Sequence, residues 1–110
     1  MSKENVVVCG ANAYEEKYYL NPAFSKMPQA IKDELQIMCV MFTQDVGGIF
    51  LVELDENGNL QLRTEAAGED FTFDEIGSAL RIKELQRTKG ELFRSLELYY
   101  QVIVEGTKVI

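Results

Sequence analysis

The last third of the chain, Thr72 to Val104, places the tightest limit on what can form. It contains no proline and carries a helical apolar period along most of its length. As one α-helix, residues 73–104 would span roughly 48 Å at about 1.5 Å per residue. A compact chain of 110 residues has a radius of gyration of about 13 Å, and so a diameter of roughly 34 Å. A straight helix would overhang by two or three turns. Three outcomes are open: a break near Gly90, a bend around a sheet, or projection onto a second copy. Glycine in a helix interior costs about 1 kcal/mol relative to alanine, which makes Gly90 the weak point.

The apolar spacing within this segment favours assembly over chemistry. Ile82, Leu85, Leu92, Leu96, Tyr99 and Ile103, with Lys89 inserted, recur at alternating three- and four-residue steps. That is an a/d heptad with lysine at one a position, where a polar residue can fix register and oligomer state. These seven residues are the candidate partner interface. Phe93 and Tyr100 widen the stripe, which suits a helix packed on a sheet instead. Ile76 and Leu80 fall on nearly the opposite side, so the two ends would have different neighbours. A homodimer through this helix and an intrachain core helix both remain open. The segment opens on Thr72-Phe73-Asp74-Glu75, which reads as a capping box, with Phe71 and Ile76 as its hydrophobic staple. Gly77-Ser78 is a competing start.

Charge is unevenly spread. The net charge is −7. Residues 1–80 carry net −9, and residues 81–94 carry net +3 through Arg81, Lys83, Arg87, Lys89 and Arg94. An acidic body disfavours nucleic acid and anionic membrane, because neutralising phosphates takes clustered Lys and Arg. The basic segment interleaves with Glu84 and Glu91 as a solvated face, or docks an acidic partner such as the body of a second subunit.

Several chemistries are excluded or disfavoured by what is missing. There is no histidine, which removes the usual general base near neutral pH, Ser-His-Asp and Cys-His catalysis, and the commonest transition-metal ligand. Zinc would need Cys9 and Cys39, thirty positions apart, plus carboxylates, a poor donor set. Both cysteines read as buried thiols of a reducing cytoplasm. No catalytic residue, cofactor or metal site is assigned. The opening apolar run, Val6 to Cys9, is too short for a leader or a membrane span.

Along the chain, Asn5–Cys9 reads as a strand, Gly10-Ala11-Asn12 as a turn and Ala13–Leu20 as a second strand. The string Val6 to Ala11 has the look of a strand leading into a dinucleotide loop, but no G-x-G-x-x-G follows. Pro28 suits a helix start, and the helix should reach about Gln44. Ile31, Leu35, Met38 and Phe42 define its apolar face. Ile37 to Phe42 are all apolar, so this half should be buried nearly all round.

The clearest unit is a hairpin of Gly48–Asp55 and Asn59–Ala67. A two-residue Asn57-Gly58 turn would mix faces. A three-residue loop, Glu56-Asn57-Gly58, pairs Leu54 with Leu60, Val52 with Leu62 and Phe50 with Thr64 on one face. Asp55-x-Asn57-x-Asn59 hints at a calcium loop but does not fit one, with glycine at the fourth position instead of the sixth and Ala66 at the twelfth. The acids around Asp70 and Glu75 are explained by helix-start chemistry rather than by a bound cation.

The strings YEEKYYLNPAF (Tyr14–Phe24), LQIMCVMFTQDVGG (Leu35–Gly48), FDEIGSALRIKELQ and ELFRSLELYY (within Phe73–Tyr100) resemble an uncharacterised family of small acidic proteins, a domain of unknown function from Gram-positive bacteria. The likeness covers residues 12–101 and carries no catalytic signature. It implies a cytoplasmic bacterial protein without an assigned activity.

These readings combine into one domain over residues 1–110, of α+β class. An antiparallel sheet of about four strands carries two helices mainly on one face, the C-terminal one long. The expected function is a non-catalytic protein-interaction or homodimeric module. The alternative is a small-ligand binder or weak enzyme using carboxylates and tyrosines. Its candidate lining residues are Tyr14, Tyr18, Tyr19, Tyr99 and Tyr100, whose hydroxyls would orient a polar ligand.

Overall fold

Three consecutive valines commit the start of the chain to extended structure. In the computed structural model, which describes residues 5–104 and 106, strand β1 runs Val6–Asn12. It passes three residues beyond the expected end at Cys9. Gly10 lies against the next strand so closely that a Cβ there would stand 2.6 Å from Leu51 Cδ2. A segment that reads as a turn is instead strand whose small residues permit a tight crossing. The reversal comes later, where Asn12 Oδ1 accepts the N–H groups of Tyr14 and Glu15. Glu16 completes it at φ 53°. Strand β2 is accordingly short, Lys17–Leu20.

Helix α1 spans Gln29–Val46 with Pro28 at its N-cap, ending two residues later than expected. Leu35, Met38 and Phe42 are buried and Ile31 packs partly against the core, as their spacing predicts. The six-residue apolar run is not buried all round. Ile37 is 59% exposed and Met41 48% exposed, because α1 lies on the sheet with one side covered and its outer side meets solvent.

Strands β3 (Ile49–Leu54) and β4 (Leu60–Glu65) form the expected hairpin. Leu54 pairs with Leu60, Val52 with Leu62 and Phe50 with Thr64. Gly58 takes φ 80° and donates to the Asp55 carbonyl, while Asp55 Oδ1 accepts the N–H groups of Asn57 and Asn59. The side chains of Leu54, Val52 and Phe50 therefore share one face, as a period of two requires.

The sheet order is β2-β1-β3-β4, with antiparallel pairing throughout. A bulge between Val7 and Cys9 shifts the β1–β3 register. This helps Val8 and Cys9 both reach the core, each fully buried. On the other face Glu53 is 3% exposed and paired with Arg63.

The C-terminal segment takes the first of its three outcomes. Helix α2 runs Glu75–Thr88 and helix α3 Gly90–Tyr99, so the described residues form three α-helices rather than two, and the C-terminal segment holds no single long one. The joint is Lys89, at φ −111° and ψ 20°. Asp45 to Arg81 at 2.9 Å and Glu34 to Lys89 at 3.1 Å set α2 antiparallel to α1. A five-residue π-helical turn, Tyr100–Val104, follows α3. The α2 cap also differs from expectation. Asp74 Oδ1 accepts the Gly77 N–H at 2.8 Å, whereas Thr72 is held by Asp70 through both its N–H and its hydroxyl. Phe71 is 93% and Ile76 77% exposed, so no staple closes.

Candidate functional site

Two concavities flank α1, one on each side. The first lies between α1 and the β1–β2 end of the sheet, with a volume of about 520 Å³. Gln36, Val40 and Gln44 line it from α1, four residues apart and so on one helix face. Ala11, Glu16 and Tyr18 stand opposite, and the small side chain of Ala11 leaves the space open. No ion pair holds Glu16 or its neighbour Lys17 among the described residues. Glu16 adopts a left-handed backbone that glycine would take without strain.

Only one of the five candidate tyrosines lines this cleft. The Tyr18 hydroxyl is buried without a hydrogen-bond partner, and its pKa is pushed up by burial and by the adjacent Cys9 and Cys39. Tyr14 instead ties the β1–β2 turn to the loop after β4. Its hydroxyl donates to Asp70 at 2.6 Å and accepts the Ala67 N–H at 2.9 Å. The bond to Asp70 raises the Tyr14 pKa, while the Thr72 and Tyr14 donors hold Asp70 below the usual carboxylate range. Tyr19 is 52% exposed, one residue from Tyr18 and so on the other sheet face. Tyr99 and Tyr100 pack on the Phe24 ring, with centroids 5.8 and 6.1 Å apart. The tyrosines do not converge on one ligand.

The second concavity is a groove of about 500 Å³ between α1 and α2. Its walls are Ile37, Met38 and Met41 from α1 and Leu85 from α2. The Arg81–Asp45 and Lys89–Glu34 pairs bridge the two helices. Leu80, 62% exposed, stands on the helical row of Glu84 at its edge.

The predicted heptad residues are largely consumed within the chain. Leu85, Leu92 and Leu96 are 7%, 8% and 0% exposed, and Ile82 and Tyr99 pack partly against the same core. Lys89 pairs with Glu34. Ile103 is 58% exposed in the terminal turn. Exposed apolar groups on the α1–α2 side include Leu80 and also Ile37 and Met41, which pattern reading assigned to the core. Their one sequence signal is that they alternate with Leu35, Met38 and Phe42 around α1, so both sets cannot face the same neighbour.

Among the described residues no group of three His, Cys, Asp or Glu side chains converges to hold a metal ion. None of the described helices is long and apolar enough to cross a membrane. No curated protein and no solved structure matches the chain. The model of a family of unknown function (DUF6145) matches residues 5–108, and the chain belongs to that family.

Proposed function

We propose that this is a non-catalytic, single-domain module that works by protein contact in a reducing cytoplasm, and that a second copy of the chain docks on its α1–α2 face. The observation that carries this is the pair Ile37 and Met41, one turn apart and about half or more exposed beside an apolar groove. Contiguous exposed apolar surface of this kind marks a contact site more often than an idle one.

Charge supports a second copy as the occupant. The α1 side of the groove offers Asp33, and α2 offers Lys83 and Arg87 beside the single acid Glu84, all exposed and without ion pairs among the described residues. Under a two-fold axis, α1 of one copy lies on α2 of the other, so acid meets base twice. A stable dimer needs about 800 Å² from each partner, more than the groove alone, so the contact would extend over Leu80 and Ile76.

Sedimentation equilibrium tests this. The expected mass is twice that of the chain, reduced to one chain in Ile37→Asp and in Met41→Asp, with each variant still unfolding in one cooperative transition. A parent that stays monomeric at high concentration would remove the proposal. A second reading, a small polar ligand in the cleft beside Tyr18, is favoured by the unpartnered Tyr18 hydroxyl and the strained Glu16. Thermal-shift screening of metabolites decides it: a midpoint rise abolished by Glu16→Gly supports the ligand, and silence across a broad panel removes it.

A further inference from the structure

The two cysteines lie 30 positions apart in sequence, yet their sulfurs are 3.8 Å apart in the core. Cys9 belongs to β1 and Cys39 to α1, and neither is exposed. They are the only cysteines in the chain, so neither has another intrachain partner. We propose that Cys9 and Cys39 form a reversible disulfide that pins α1 to a central strand of the sheet.

Three features carry this. First, the distance is a contact distance. A disulfide is about 2.05 Å long, so the sulfurs must close by roughly 1.8 Å for the bond to form. Second, the pair joins different elements of the fold, so the bond would restrain their relative movement. Third, the Tyr18 hydroxyl is buried close enough to both thiols that they help push its pKa up. Tyr18 sits on the four-residue edge strand β2 and also lines the first cleft. Fraying of that strand uncovers the pair to a small oxidant.

Hydrogen peroxide can supply the oxidising equivalents. One thiol gives up its proton, its thiolate attacks a peroxide oxygen, the O–O bond breaks, and the departing hydroxide takes up that proton, leaving a sulfenic acid and one water. The second thiol's sulfur attacks the sulfenic sulfur, the S–S bond forms, the S–O bond breaks, and a second water leaves. The two sulfurs lose two electrons and two protons, and the peroxide is reduced to two waters. A small dithiol reverses the step by exchange. The shared hydrogen bond with Cys9, and then burial, push the Cys39 thiol up, so the reaction is slow and gated by opening. The inference does not depend on the α1–α2 face.

The folded, full-length protein treated with hydrogen peroxide provides the test, read by intact mass, peptide mapping and thermal melting. The expected result is loss of two hydrogen atoms, a Cys9–Cys39 cross-linked peptide, and a thermal midpoint raised by on the order of 10 °C. Dithiothreitol should reverse all three. In Cys9→Ala the remaining thiol should gain one oxygen and form no cross-link. Should both parent thiols remain alkylatable after treatment, or pass to sulfinic acid, or link two chains, the assignment fails. A lowered midpoint would also overturn it, by showing that the bond is forced on the fold.

Discussion

Glu53 shows how a charge is kept on a sheet face. Its carboxylate is nearly inaccessible and receives Arg63 Nη2 at 2.8 Å, Arg63 Nε at 3.2 Å and Asn5 Nδ2 at 3.3 Å. Arg63 also reaches Glu65. Arg63 holds the Glu53 carboxyl below its ordinary range, against the opposing effect of burial. A depressed carboxylate pKa contributes stability above the unfolded value, about 4.3, and loses it as pH falls through the folded value. Arg63→Ala should therefore cost about 1–3 kcal/mol near neutral pH. It should also flatten the acid limb of a plot of unfolding free energy against pH between about pH 5 and 3. An unchanged acid limb would count against this pairing. The turn residue Gly58 offers a second check. A Cβ there meets nothing nearer than Gln101 Nε2 at 3.5 Å, so Gly58→Ala should cost only the left-handed backbone term, about 1–2 kcal/mol in denaturant titration.

Helix ends and joints decide the C-terminal half. Thr72 and Asp74 are both able to cap, and pattern alone cannot rank them. In the structure the Thr72 N–H and hydroxyl both turn back to Asp70, away from the helix start, and Asp74 Oδ1 accepts the Gly77 N–H instead. Asp74→Ala should cost about 1 kcal/mol. Thr72→Ala should cost clearly less, and equal losses in chemical denaturation would restore the expected box. The break at Lys89 was legible only as one of three options. Glycine penalty pointed to residue 90, but the distorted backbone is that of Lys89, one residue earlier, where the side chain turns to Glu34. Gly90→Ala should then leave helical circular dichroism unchanged, since the residue is already the first of α3 and has room for a methyl group. The β3–β4 hairpin was fully legible, because a period of two and a turn of fixed length over-determine its register. The extension of β1 was not, because Gly10-Ala11-Asn12 has turn composition and only the neighbouring Leu51 explains its strand geometry.

Across the whole molecule, the sheet order puts β1 and β3 inside and β2 and β4 at the edges. Native-state hydrogen exchange should find the slowest amides in β1 and β3 and the fastest strand amides in β2, which has four residues and one neighbour. Comparable protection in β2 would mean that its edge is covered by another chain. The candidate sites were the least legible part. Composition marks Ile37 and Met41 as apolar but does not say whether an apolar helix face meets the same chain or a second one. Likewise the heptad of Ile82 to Ile103 is a real stripe, and its buried leucines show it to be largely spent on this chain's own core.

The order of the strands also bears on how the chain is made. The first strand synthesised, β1, needs β3 as its inner neighbour, and β3 starts only at Ile49. Until then the emerging chain can offer β1 no more than the short strand β2, and a lone two-stranded ribbon is marginal in water. Three valines and a cysteine thus wait, unpaired on one side, while α1 is completed. A stalled or truncated product ending before residue 54 would present an open apolar strand edge. Chaperone demand should therefore be greatest early in synthesis and should fall once Leu54 has been added.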